Sequence, residues 1–225
     1  MMLSRFHPQL LTLRLLPLQP LKVLGLLPLR MLGLLLALLL SGCGESKLEP
    51  LPADATILAF GDSLTVGVGT HSANSYPKVL EQLSGVSVIN AGVSGETTDR
   101  GLARLPQLLD QTHPDLLILI EGGNDILRNH PAAQTKANLK AMIQLADNRG
   151  IPTVLIGVPQ KSLFSDSAPF YSELAEEYQL VFDGEVIADL LRSPSLKSDP
   201  IHLNREGYRQ LAQSIFALLQ DEGAL

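Results

Sequence analysis

From residue 56 onward, hydrophobic positions follow two alternating patterns. Short, mostly apolar runs at 56–60, 86–90, 115–121, 153–157 and 180–182 have the length and composition of buried strands. Between them, apolar residues recur three and four apart, as on one face of a helix. Tyr76, Val79, Leu80 and Leu83 follow a start at Ser75 and Pro77 and precede a stop at Gly85. Leu102, Leu105 and Leu109 follow a cap at Thr97 or Thr98; Pro106, which lacks an N–H and clashes one turn back, should kink or split that helix. Leu139, Met142, Ile143 and Ala146 form a third stripe, ending at Gly150. A loop from 158 to about 169 leads to a helix near 172–178, and Asn204 caps a last helix striped by Tyr208, Leu211, Ala212, Ile215, Phe216 and Leu219. Strand and helix alternate five times without a break in composition. That predicts one α/β domain over 54–225 with a parallel sheet and right-handed crossovers.

Residues 1–42 have a different character. They hold Arg5, Arg14, Lys22 and Arg30 but no acid, and end in a ten-residue apolar run at 31–40 followed by Ser41, Gly42 and Cys43. A basic flank, a short apolar core and small residues describe an export signal, and the core is too short to span a bilayer as a mature helix. Leu40-Ser41-Gly42-Cys43 resembles the lipobox of bacterial lipoproteins, which implies that Cys43, the only cysteine, becomes the lipidated first residue of the mature protein. Residues 43–53 then form a lipidated tether. Gly44 in place of Asp after that cysteine implies the periplasmic face of the outer membrane.

Without residues 1–42, 13 Lys and Arg face 23 Asp and Glu, a balance of −10. That argues against nucleic-acid binding and against electrostatic docking on anionic lipid. The expected membrane contact is the lipid anchor. Neither a His-x-x-x-His or Cys-x-x-Cys ligand set nor a phosphate-binding Gly-Lys-Ser/Thr loop occurs, so no metal or other cofactor is expected.

The candidate chemistry lies where strands end, the edge at which open α/β sheets gather their sites. Ser63 follows the first run in Gly61-Asp62-Ser63-Leu64. A serine nucleophile needs a base, itself oriented by a third group. Among His71, His113, His130 and His202, the base is read as His202, with a carboxylate poised nearby in Asp199-Pro200-Ile201-His202; His113 and His130 precede prolines and read as turn residues. Gly92 after the second run offers an unobstructed backbone N–H, and Asn124 after the third a carboxamide, both suited to an oxyanion.

This ordered set resembles the SGNH (GDSL) hydrolase family over residues 55–220, most closely its thioesterase I/lysophospholipase/arylesterase branch. Gly61-Asp62-Ser63-Leu64, Gly101-Leu102-Ala103-Arg104-Leu105-Pro106 and Gly122-Gly123-Asn124-Asp125-Ile126-Leu127-Arg128 carry the likeness. It implies a three-layer α/β/α sandwich with a five-stranded parallel, flavodoxin-like sheet. It assigns Ser63, Asp199 and His202 as the triad, and Ser63, Gly92 and Asn124 as the oxyanion hole. Leu203 stands where the family often has proline after the histidine. The resemblance also implies that the loop after Asn124 lines the acyl site, with Leu127, Leu163, Phe164 and Phe170 as its apolar wall; ordinary core packing is the alternative for those four. The expected activity is hydrolysis of carboxylic esters, acyl thioesters or lysophospholipids, so the partner is a small acyl or lipid substrate. A carbohydrate O-deacetylase of the same fold and a non-catalytic acyl-binding lipoprotein are the competing readings.

Overall fold

The computed structural model describes residues 47–161 and 166–225; the expected leader, Cys43, Leu163 and Phe164 lie outside them. The apolar runs form one parallel sheet: β1 (Thr56–Gly61), β2 (Ser87–Gly92), β3 (Leu116–Ile120), β4 (Thr153–Ile156) and β5 (Val181–Asp183), in the order β2-β1-β3-β4-β5. Ile57 to Phe60 and all of β3 are fully buried, because helices cover both faces. On one face, α2 (Tyr76–Ser84) packs against α8 (Arg205–Asp221), which also meets α7 (Val186–Arg192). On the other, α5 (Ala132–Asp147) packs between α3 (Thr98–Thr112) and α6 (Pro169–Tyr178). Two short helices, α1 (Ser63–Val66) and α4 (Gly123–Leu127), directly follow β1 and β3.

Chain direction across the sheet reverses between β1 and β3, since β2 lies to one side of β1 and everything later to the other. A crevice opens at such a switch point, outside the carboxyl ends of the strands. Ser63 and Asn124 stand on its two banks.

Several sequence expectations are corrected. α3 runs unbroken through Pro106, because the proline removes only the donor to the Leu102 carbonyl while Gly101, Leu105 and Leu109 anchor the turns on either side in the core. Leu83 is exposed rather than part of the buried face of α2. α6 begins at Pro169, three residues earlier than expected, which carries Phe170 into the core beside Tyr171 with ring centres 4.6 Å apart. Part of the stretch expected as a tether packs on the domain instead. Leu48 is buried, and the N–H groups of Leu48 and Leu51 donate to the carbonyls of Glu222 and Ala224 at 3.1 and 2.8 Å, tying this strap to the C-terminus.

Candidate active site

The nucleophile candidate sits in a turn that its neighbours force into helix. Asp62 caps α1, its Oδ1 accepting from the Leu64 N–H at 3.0 Å. Its Oδ2 accepts from Asn124 Nδ2 at 3.2 Å, so one buried carboxylate joins the banks of the crevice. Burial pushes the Asp62 carboxyl up to about 6, against the opposing pull of the Leu64 N–H. Ser63 opens α1, so its N–H has no intrahelical partner.

The loop before α8 delivers the base. His202 Nε2 is 2.9 Å from Ser63 Oγ, and its Nδ1 is 2.7 Å from Asp199 Oδ2. The other oxygen of Asp199 accepts from the N–H groups of Ile201 and His202, each at 2.9 Å. Partial burial pushes the Asp199 carboxyl up, yet the Ile201 N–H and the His202 ring outweigh it and hold the group below its ordinary range. Asn204 braces the loop: its Oδ1 caps α8 through the Gly207 N–H at 3.0 Å, and its Nδ2 donates to the Ser195 carbonyl at 2.8 Å. Tyr208 Oη, one turn on, donates to the Val68 carbonyl at 2.8 Å and so links α8 to the segment behind the serine. Ser63 and the sequence-remote pair Asp199 and His202 therefore form one hydrogen-bonded chain.

Asn124 is held as firmly. Its neighbour Asp125 accepts from the Thr98 N–H at 2.9 Å and the Thr98 hydroxyl at 2.7 Å, and Asn138 donates to that hydroxyl, pinning α4 to α3. One Asn124 amide hydrogen serves Asp62; the other has no acceptor among the described residues.

Gly92 does not fit the donor role expected of it. Its N–H already donates to Asn90 Oδ1 at 3.0 Å, while Asn90 Nδ2 donates to the Thr65 carbonyl at 2.8 Å. Gly92 is glycine for another reason: a Cβ there would lie 2.4 Å from the Val66 nitrogen, so only a bare backbone lets α1 rest on the end of β2. The turn that follows offers the Gly95 N–H, which has no acceptor among the described residues. Arg104 supports this turn, bonded through Nε to both oxygens of Glu96 and through Nη2 to the Ala91 carbonyl at 2.8 Å, with its guanidinium 3.9 Å over the Phe60 ring. That is the structural content of the Gly-Leu-Ala-Arg-Leu-Pro motif.

A cavity of about 450 Å³ opens beside Ser63 and Asn124. Leu127 lines it, together with Ile126, Val158, Ala188, Leu191 and Ile201. Phe170 does not line it, being enclosed in the core. Ala188 and Leu191 stand on α7, a helix the sequence reading passed over although Ile187, Leu190 and Leu191 repeat at helical spacing. Among the described residues, no group of three or more His, Cys, Asp or Glu side chains is arranged to hold a metal ion.

Residues 59–210 match the model of the GDSL-like lipase/acylhydrolase family. The chain belongs to this family. With it, the chain is a serine hydrolase of the SGNH type. It is 33% identical to an arylesterase of Vibrio mimicus over 195 residues, covering 80% of this chain and 94% of the relative. It is 30% identical to thioesterase 1/protease 1/lysophospholipase L1 of Escherichia coli K12, covering 73% and 83%. Among solved structures, the SGNH-hydrolase family esterase AlinE4 superposes with a TM-score of 0.59 at 32% identity, over 74% of this chain and 95% of that one.

Proposed function

We propose that the protein is a lipid-anchored esterase that cleaves carboxylic esters, and acyl thioesters or lysophospholipids as related substrates, through an acyl-enzyme on Ser63. The observation that carries this reading is the continuous chain from Asp199 through His202 to Ser63, open to a largely apolar cavity. Ser63 Oγ attacks the acyl carbonyl while His202 Nε2 takes its proton and returns it to the leaving oxygen or sulfur. Asp199 holds the imidazole with Nδ1 protonated and Nε2 facing the serine. The oxyanion rests on the Ser63 N–H and the unengaged Asn124 amide hydrogen, with Gly95 in place of Gly92 as second backbone donor. Water then repeats the cycle and releases the acid. The apolar cavity wall favours an acyl chain over an acetylated sugar, and a general base speaks against a purely binding role.

Anchoring rests on the apolar run at 31–40 and the lipobox-like Leu-Ser-Gly-Cys, with Cys43 acylated and the protein exported to the outer membrane. Mass spectrometry of membrane-extracted protein should find Cys43 as an acylated N-terminus; a soluble, unacylated native protein refutes the anchor and leaves the catalytic reading intact. Activity is tested separately. Ser63→Ala should abolish aryl-ester turnover with the fold unchanged, and a fluorophosphonate probe should label the parent alone. Persistent labelling of the variant would remove Ser63 from the mechanism.

A further inference from the structure

Three cationic side chains line the cavity beside Ser63: Lys161, Arg192 and Lys197. Two of them are engaged. Lys161 Nζ donates to the Leu127 carbonyl at 3.2 Å and lies 3.4 Å from Asn129 Oδ1; Arg192 pairs with Asp166 and Asp189. The Lys197 ammonium has neither a hydrogen bond nor an ion pair among the described residues, although its residue is half-buried. An unpaired ammonium in a strongly acidic domain creates a local field opposite to that of the whole surface, and a cleft with low-dielectric walls strengthens it.

The position of Lys197 says which half of the substrate meets this charge. His202 must return a proton to the leaving atom, so the leaving group lies on the His202 side of Ser63. Lys197 belongs to the His202 loop. It bridges to Leu203 in antiparallel fashion, and the next residue, Ser198, donates its N–H to the His202 carbonyl at 3.0 Å. Two acids of the site are already committed, Asp199 to His202 and Asp62 to Leu64 and Asn124. Acyl-side walls such as Leu127 and Val158 are apolar, and the ammonium beside them, Lys161, is already held on the Leu127 carbonyl and Asn129.

We infer that the leaving-group side of the cavity selects esters whose alcohol or phenol carries an anionic group, a carboxylate or a phosphate, with Lys197 receiving that charge. This inference rests on the esterase reading and narrows its substrate class. Lys197 acts on specificity and takes no part in the bond changes.

The test compares kcat/KM for 4-acetoxybenzoate with that for its neutral methyl ester, in the parent, Lys197→Gln and Lys197→Arg. The anionic-to-neutral ratio should fall roughly three- to tenfold in Lys197→Gln, mainly through KM, and persist in Lys197→Arg. Added salt should narrow it in the parent. Acetoxyphenyl phosphate distinguishes the sources: a drop confined to it identifies a phosphate, and equal drops identify a general anion subsite. Phenyl hemisuccinate, with its charge on the acyl half, should show no such drop. An unchanged ratio with both leaving-group anions, or a drop seen only with hemisuccinate, overturns the inference. Binding of 4-hydroxybenzoate against its methyl ester, to parent and Lys197→Gln, reads the same preference without turnover. Loss of all ester hydrolysis would therefore sink the esterase reading, while this binding ratio still decides the role of Lys197.

Discussion

Asp62 does the most with the fewest atoms. One oxygen shapes the turn that presents Ser63 and the other fixes the carboxamide of Asn124, so the two sides of the crevice share one buried acceptor. This places two separate demands on Asn124: it must hold Asp62 with one hydrogen and meet the oxyanion with the other. Asn124→Ala should lower kcat by about 10²–10³, the usual cost of one oxyanion donor, because the contact forms only as charge develops. Asp62→Asn leaves the Asn124 side chain in place but replaces its Oδ2 acceptor with either a competing donor or the one oxygen that Leu64 needs. It should therefore lower kcat less than Asn124→Ala, and without the loss of substrate binding that a collapsed site would show. Steady-state kinetics on one aryl ester check both. A rise in KM at constant kcat for Asn124→Ala would make Asn124 a substrate-binding group instead.

Elements differ in how much of them the sequence disclosed, and the difference follows their length. β1, β3 and β4 are continuous apolar runs that only a doubly covered sheet can bury. The stripes Leu139, Met142, Ile143, Ala146 and Tyr208, Leu211, Ala212, Ile215, Leu219 became core, with Phe216 of the second half-buried at its edge, and Gly85 closes α2 in the left-handed region with its N–H on the Glu81 carbonyl. The short helices α1 and α4 were not legible. Four or five residues have no stable helix of their own, and these exist through contacts from remote segments, Asp62 with Asn124 and Asp125 with Thr98. Ser63, Asn124, Asp199 and His202 were readable because each falls at a strand end or before a helix. The engagement of Gly92 was harder to see, although an Asn two residues before a backbone N–H is a recognised competitor for it. Gly92→Ala separates the two accounts of that glycine. It retains the N–H, yet its Cβ would strike the Val66 nitrogen and must push α1 off β2. The variant should lose at least several degrees of Tm and most of its activity; near-parental values for both would mean that the contact between α1 and β2 yields easily.

At the scale of the molecule, the unusual feature is a carboxylate cluster beneath the crevice. Glu121 is fully buried at the end of β3, and neither of its oxygens has a hydrogen-bond partner among the described residues. Burial first, then the charges of Asp62, Glu96 and Asp125, push its carboxyl up to about 10, with Arg104 pulling the other way. Folded protein thus keeps this proton at neutral pH, whereas the unfolded chain releases it near the ordinary glutamate value of 4.5. Across that window the unfolded state binds fewer protons, so stability must fall as pH rises, most of it above pH 5. Asp62, raised to about 6, adds a slope of the same sign between about 4 and 6. Asp199, held below its ordinary range, has the opposite sign but acts only in acid, below this window. Glu121→Gln replaces the neutral acid with a neutral amide of nearly the same shape and removes the ionisation from the unfolded chain. The variant should match the parent near pH 5 and exceed it at pH 8, by roughly 2–4 °C in Tm for each kcal/mol of ionisation penalty removed. Thermal unfolding of both proteins from pH 5 to pH 8.5 checks this. If Glu121→Gln loses stability equally at both ends, the carboxyl is ionised in the folded state and Arg104 holds it as a charge.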